Sequence, residues 1–180
     1  MFVDEIVRSI RQEIVVVRGQ DVSPVINDLA TELKARSASE TSASEAPAIF
    51  LFIHGLQKFK KLRHEDDFSF SSSSESGPDT GAQFNQIINE GSGYGIHILT
   101  TVDTLSSVNR FMNRKALGEF AMRVIFQMSA NDSASLIDSP KASNLGLHRA
   151  LFYHEQEGYL ETFRPYAMPA TEWFRQRSKL

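Results

Sequence analysis

The 180-residue sequence predicts an α/β fold: a mostly parallel sheet with an antiparallel hairpin added at its C-terminal edge. Three observations carry that expectation. Short runs that are apolar at nearly every position, 13–17 (EIVVV), 48–53 (AIFLFI) and 123–128 (RVIFQM), alternate with segments of helical periodicity. Strands without polar alternation are those covered on both faces, as in a parallel sheet sandwiched between helices. Near the end, 149–153 (RALFY) and 159–163 (YLETF) flank the turn-like spacer HEQEG and so read as a hairpin.

In chain order, Phe2, Ile6, Val7 and Ile10 recur at helical spacing, and 13–17 suits a buried strand. Asp21 or Ser23 can cap the next helix, with Pro24 in its first turn. Its apolar face is Val22, Val25, Ile26, Leu29 and Leu33, and it ends near Arg36. The run 48–53 is read as a central strand stopped by His54 and Gly55. Phe84, Ile87 and Ile88 mark a helix that closes at Gly91, after which GSGYG leads into a strand at 96–101 (IHILTT). Leu117, Phe120 and Ala121 mark a further helix, 123–128 a strand, and 131–137 a helix capped by Asn131 or Asp132. Residues 172–177 are read as a terminal helix.

Two serine-rich stretches, 37–47 and 64–81, carry too little apolar area to offset the entropy of ordering, and they are expected to be flexible surface loops. The length fits one domain over 1–180, and 41% hydrophobic against 23% charged residues is enough to form a core. Nineteen basic against 22 acidic residues give −3, so no global positive field draws nucleic acid or anionic membranes. The absence of cysteine excludes a disulfide framework, thiolate metal sites and a cysteine nucleophile. No apolar run approaches the roughly 20 residues that span a bilayer, and the charged start does not read as a signal peptide, so a cytoplasmic location is expected.

Several motifs bear on chemistry. Gly91, Gly93 and Gly95 leave a helix and enter a strand, the reverse of a phosphate-cradling turn, so they read as a helix stop. No G-x-x-x-x-G-K-[ST] loop occurs to grip phosphates. His54, His64, His97, His148 and His154 show no metal-ligand spacing, and no serine sits in a G-x-S-x-G elbow. Lys58, Lys60, Lys61 and Arg63, interleaved with Phe59 and Leu62, form a basic run that is either a nucleic-acid contact or a solvated face.

The order of these elements resembles the later part of the motor domain of the FtsK/SpoIIIE family of DNA-translocating P-loop ATPases. AIFLFI with His54 and Gly55 stands where that family has a Walker B strand ending in two acids. GIHILTTVD, 95–103, is similar to the family's glycine-x-histidine and LATQ-like strand. Residues 122–152 (MRVIFQMSANDSASLIDSPKASNLGLHRALF) follow its arginine-led strand, polar turn, helix and final strand. The resemblance covers about 21–163 and begins downstream of the family's phosphate loop.

It implies a partial three-layer RecA-like P-loop core, the C-terminal piece of a longer ring-forming motor that reaches DNA through the parent protein in segregation or cell division. An intact member uses ATP and Mg²⁺. The positions equivalent to its nucleotide site are His54, Gly55, Thr100, Thr101 and Asp103. Here both Walker B acids are replaced, and Val102 follows Thr101 where the family has a glutamine, so no cofactor and no hydrolysis are expected of this chain alone. Arg123 matches the family's strand-opening arginine, with an intersubunit or a structural role. The other expectation is an ATP-independent interaction or assembly module that keeps the fold.

Overall fold

The computed structural model describes residues 7, 12–17, 21–39, 46–63, 79–170, 172, 173 and 176. The chain groups into two compact units, 19–121, and 1–18 together with 122–180. It is a mixed α/β fold with one parallel and one antiparallel sheet.

The unit 19–121 contains α1 (Ser23–Ala38), β1 (Ile49–His54), α2 (Thr80–Glu90), β2 (Ile96–Thr101), α3 (Leu105–Phe111) and α4 (Arg114–Gly118). β1 and β2 pair in parallel, from Ile49 opposite Ile96 to His54 opposite Thr101, with α2 in the crossover between them. In α1, Ile26, Ala30 and Leu33 recur at i, i+4 and i+7 and are buried. The helix opens on Val22 with no side-chain cap, because the Asp21 carboxylate instead accepts the Ser23 N–H at 3.2 Å. It runs to Ala38, past the expected end at Arg36. Arg36 is buried there, donating to Glu32, to the Tyr94 carbonyl at 2.7 Å and to the Pro47 carbonyl at 3.1 Å.

Asp79 caps α2 by accepting the Gly81 and Ala82 N–H groups, so this helix starts inside the stretch expected as loop. At its exit a Cβ on Gly91 would lie 2.8 Å from the Ile96 carbonyl oxygen, and Gly95 takes φ 73. These glycines end a helix and admit a strand, as their order predicts.

Side chains from α1 to α4 join one apolar cluster with Ile53, Ile96, Leu56 and Leu62, against which Ile49, Leu51 and Ile98 pack. The reading of 48–53 as covered on both faces is therefore corrected. Phe50 and Phe52, on the alternate positions, are 55% and 71% exposed, because the described helices α1 to α4 pack on the opposite side.

The second unit contains β3 (Met122–Ile125), α5 (Ala130–Ile137), β4 (Ala150–His154) and β5 (Tyr159–Phe163). The strands form an antiparallel sheet in the order β3–β4–β5, which includes the expected hairpin. β3 stops at Ile125, three residues short of the expected run. Ser129, rather than Asn131 or Asp132, caps α5 by accepting the Asp132 N–H at 3.1 Å. Ser133 is fully buried; its hydroxyl donates to the Ser139 carbonyl and accepts the Ala142 N–H at 3.2 Å. It thereby ties α5 to the 3₁₀ turn Pro140–Asn144.

Two further expectations change. Residues 13–17 form no strand, and Val15 is 77% exposed: β-branched residues favour a ladder but cannot make one without a partner. The helix expected around Leu117 ends at Gly118, leaving Phe120 and Ala121 beyond it. Val7, Glu172, Trp173 and Gln176 are helical, while the remainder of both expected terminal helices, and residues 40–45 and 64–78 of the expected loops, lie outside the described residues. Among the described residues no helix is long and apolar enough to cross a membrane.

Candidate functional site at the carboxyl end of the parallel strands

In an open sheet with parallel strands, ligands bind beyond the carboxyl ends of those strands, so the ends of β1 and β2 are the place to look. The register sets His54 opposite Thr101. After His54 the chain turns through Gly55, at φ 76 and ψ 68, into the 3₁₀ turn Leu56–Lys58. The Gly55 N–H donates to Thr101 Oγ1 at 2.9 Å, and His54 Nδ1 lies 3.2 Å from the same oxygen. Thr101 Oγ1 thus serves both the Gly55 N–H and the His54 ring nitrogen. The Lys58 side chain folds back across Gly55: its Cδ, Cε and Nζ lie 3.0–3.3 Å from where a Cβ of residue 55 would sit.

Of the five positions read as nucleotide-site equivalents, three meet here: His54, Gly55 and Thr101. Thr100 alternates to the helix-covered side, where its buried Oγ1 has no hydrogen-bond partner among the described residues. Asp103 is exposed two residues beyond β2, at the entrance to α3. The hydroxyls of Ser107 and Thr104 hold its carboxyl below the usual aspartate value. Thr104 Oγ1 lies 3.3 Å from Asp103 Oδ1 and caps α3 by accepting the Ser107 N–H at 3.1 Å.

Mg²⁺ demands hard oxygen ligands in near-octahedral array, commonly one or two carboxylates beside a phosphate. The end of β1 offers an imidazole nitrogen and a hydroxyl already committed to each other, with an ammonium group beside them. These residues do not fit a magnesium nucleotide, and no hydrolytic step follows from them. Among the described residues no cluster of three or more His, Asp or Glu side chains is suited to a metal ion.

The basic run occupies two consecutive 3₁₀ turns, Leu56–Lys58 and Lys60–Leu62, and its members have different surroundings. Lys61 donates to Asp21 at 3.3 Å, and the Arg63 guanidinium stands 6.0 Å from the Phe111 ring centroid. Lys58 lies across Gly55, and Lys60 is exposed. Leu56 and Leu62, fully buried, anchor the turns between these bases.

Arg123, in the other unit, donates to the Leu136 carbonyl at 2.6 Å and to Glu155 at 2.7 Å, with its guanidinium 5.6 Å from the Tyr153 ring centroid. It joins the end of α5 to the hairpin. Among the other histidines, His97 stacks on Phe50 at 5.1 Å, His148 holds a positive φ of 59, and His154 Nδ1 accepts the Glu157 N–H in the hairpin turn.

Sequence reading missed Lys58 as a neighbour of the strand end, since only the tight turn at Gly55 brings it back. It also missed α3. The signal for α3 was present: Thr104 precedes Leu105, Val108 and Phe111 at i, i+3 and i+6, which is a cap followed by an apolar stripe.

No family model and no curated protein matches the chain. Among solved structures, the chain is similar to the cytoplasmic domain of the Thermomonospora curvata type VII secretion ATPase EccC. The TM-score is 0.49 and the identity 17%, over 84% of this chain and 16% of that one.

Proposed function

We propose that this chain is a partial FtsK/SpoIIIE-like ATPase domain that does not hydrolyse ATP by itself and serves within a larger polymer-translocating assembly. One observation carries the reading: at the end of β1, where such a motor needs acids to hold a metal and activate water, His54 is bonded to Thr101 and Gly55 donates to the same hydroxyl. The order of strands and helices in the sequence supports the scaffold, and the lack of a phosphate-gripping loop in these 180 residues supports the missing activity. The test is calorimetry of the chain with Mg²⁺ and ATP, paired with a phosphate-release assay. No saturable heat and no release above background are expected. Micromolar binding, or turnover abolished by changes at His54 or Thr101, would defeat the proposal.

A further inference from the structure

The turn between β4 and β5, residues 155–158, is closed by two hydrogen bonds. The Gly158 N–H donates to the Glu155 carbonyl at 3.2 Å, with Gly158 at φ 61. A side chain makes the second bond: the Glu157 N–H donates to His154 Nδ1 at 3.3 Å. A backbone N–H can only donate, so Nδ1 must present a lone pair, and the neutral ring carries its proton on Nε2. The imidazolium has two N–H donors and no lone pair, so it would set donor against donor at this point. The half-buried ring meets Phe152 edge-on, with the centroids 6.5 Å apart.

We infer that this turn is a proton-operated latch: neutral His154 closes it, and protonation of the ring opens it and loosens the joint between the hairpin and α5. The connection runs through the next residue. The Glu155 carboxylate accepts from Arg123 Nη2 at 2.7 Å, while Arg123 Nη1 donates to the Leu136 carbonyl near the end of α5. Opposite His154 in register stand the uncharged Met122 on β3 and Tyr159 on β5, whose hydroxyl donates to Glu161. Arg123 alternates to the other face of the sheet, against the Tyr153 ring. With Glu155 and Glu161 engaged, the exposed Glu157 carboxylate in the turn itself is the group toward which an imidazolium can swing once it has let go of the Glu157 N–H. Between about pH 7.5 and about pH 5.5 histidines change charge and carboxylates ordinarily do not, so the latch works without unpairing Arg123 and Glu155 directly. This inference is independent of the nucleotide reading.

The test follows the full chain by NMR from about pH 7.5 to about pH 5.5. Protection of the Glu157 amide against exchange with water, normalised to the intrinsic rate at each pH, is expected to fall about threefold to tenfold, the worth of one hydrogen bond. The fall should track the titration of the His154 ring protons, and the Arg123 Nε resonance should move on the same curve. In His154→Asn the side-chain carbonyl can still accept a turn N–H but does not titrate, so Glu157 protection there is expected to show no pH dependence. The proposal fails if protection in the parent is the same at both ends of the range. It fails equally if the fall persists in His154→Asn, which would assign it to another group, or if the turn opens while the Arg123 resonance stays still.

Discussion

In the unit 19–121, helices meet the sheet through hydrocarbon: Phe84, Phe111, Ile87 and Ile96 are almost wholly buried around Ile53, with Arg36 at the margin. In the unit containing 122–180, beside the buried Ile125, Leu136, Ile137 and Leu151, two polar side chains also join elements, Ser133 between α5 and the following turn and Arg123 between α5 and the hairpin. The difference shows two ways of fixing a helix. Apolar burial is strong and non-directional, so it tolerates changes of shape, while a buried hydroxyl fixes one geometry and is costly to leave unpaired.

Mutations can sharpen or break this contrast. Phe84→Ala should have the largest effect, about 3–5 kcal/mol of unfolding free energy in a denaturant titration, because the ring is fully buried and leaves a cavity. Ser133→Ala should come next, at about 1–3 kcal/mol, by stranding the Ala142 N–H and the Ser139 carbonyl. A loss as large as that of Phe84→Ala would erase the distinction between the two kinds of joint.

Phe52→Ala should cost under about 1 kcal/mol, since the ring is 71% exposed. A cost near that of Phe84→Ala would mean that the face is covered in solution. The smallest effect is electrostatic: Tyr159 donates to the Glu161 carboxylate, which pushes the phenol above its ordinary pKa. The bond's contribution is complete below the ordinary tyrosine pKa and is lost as pH rises through the raised value. Absorbance titration of Glu161→Gln should show the Tyr159 transition at lower pH than in the parent.

What was legible in the sequence follows from how local each signal is. The runs 48–53 and 96–101 declared strands because apolar character and flanking glycines belong to adjacent residues. Whether both faces of β1 are covered depends on where four helices pack, and no window of sequence holds that information; hence the misreading of Phe50 and Phe52. The run 13–17 shows the converse, a strong local preference without a ladder to join. At the candidate site, the sequence pointed to His54, Gly55 and Thr101 through their place in the element order, whereas the hydrogen bond between residues 46 positions apart was not readable. The caps Ser129 and Thr104 were readable in principle; at α5 the polar neighbours Asn131 and Asp132 drew the reading away from Ser129, and the helix behind Thr104 was not read.

The left-handed turn at Gly55 also limits what this chain can become. Lys58 has a flexible stem and can swing aside for a new side chain, but φ 76 would persist, a conformation that costs a non-glycine residue about 1–3 kcal/mol. An acid introduced at position 55 would therefore have to arrive with a rebuilt turn. The corner that closes β1 is thus reserved for glycine, and a side chain placed there has to change the backbone around it.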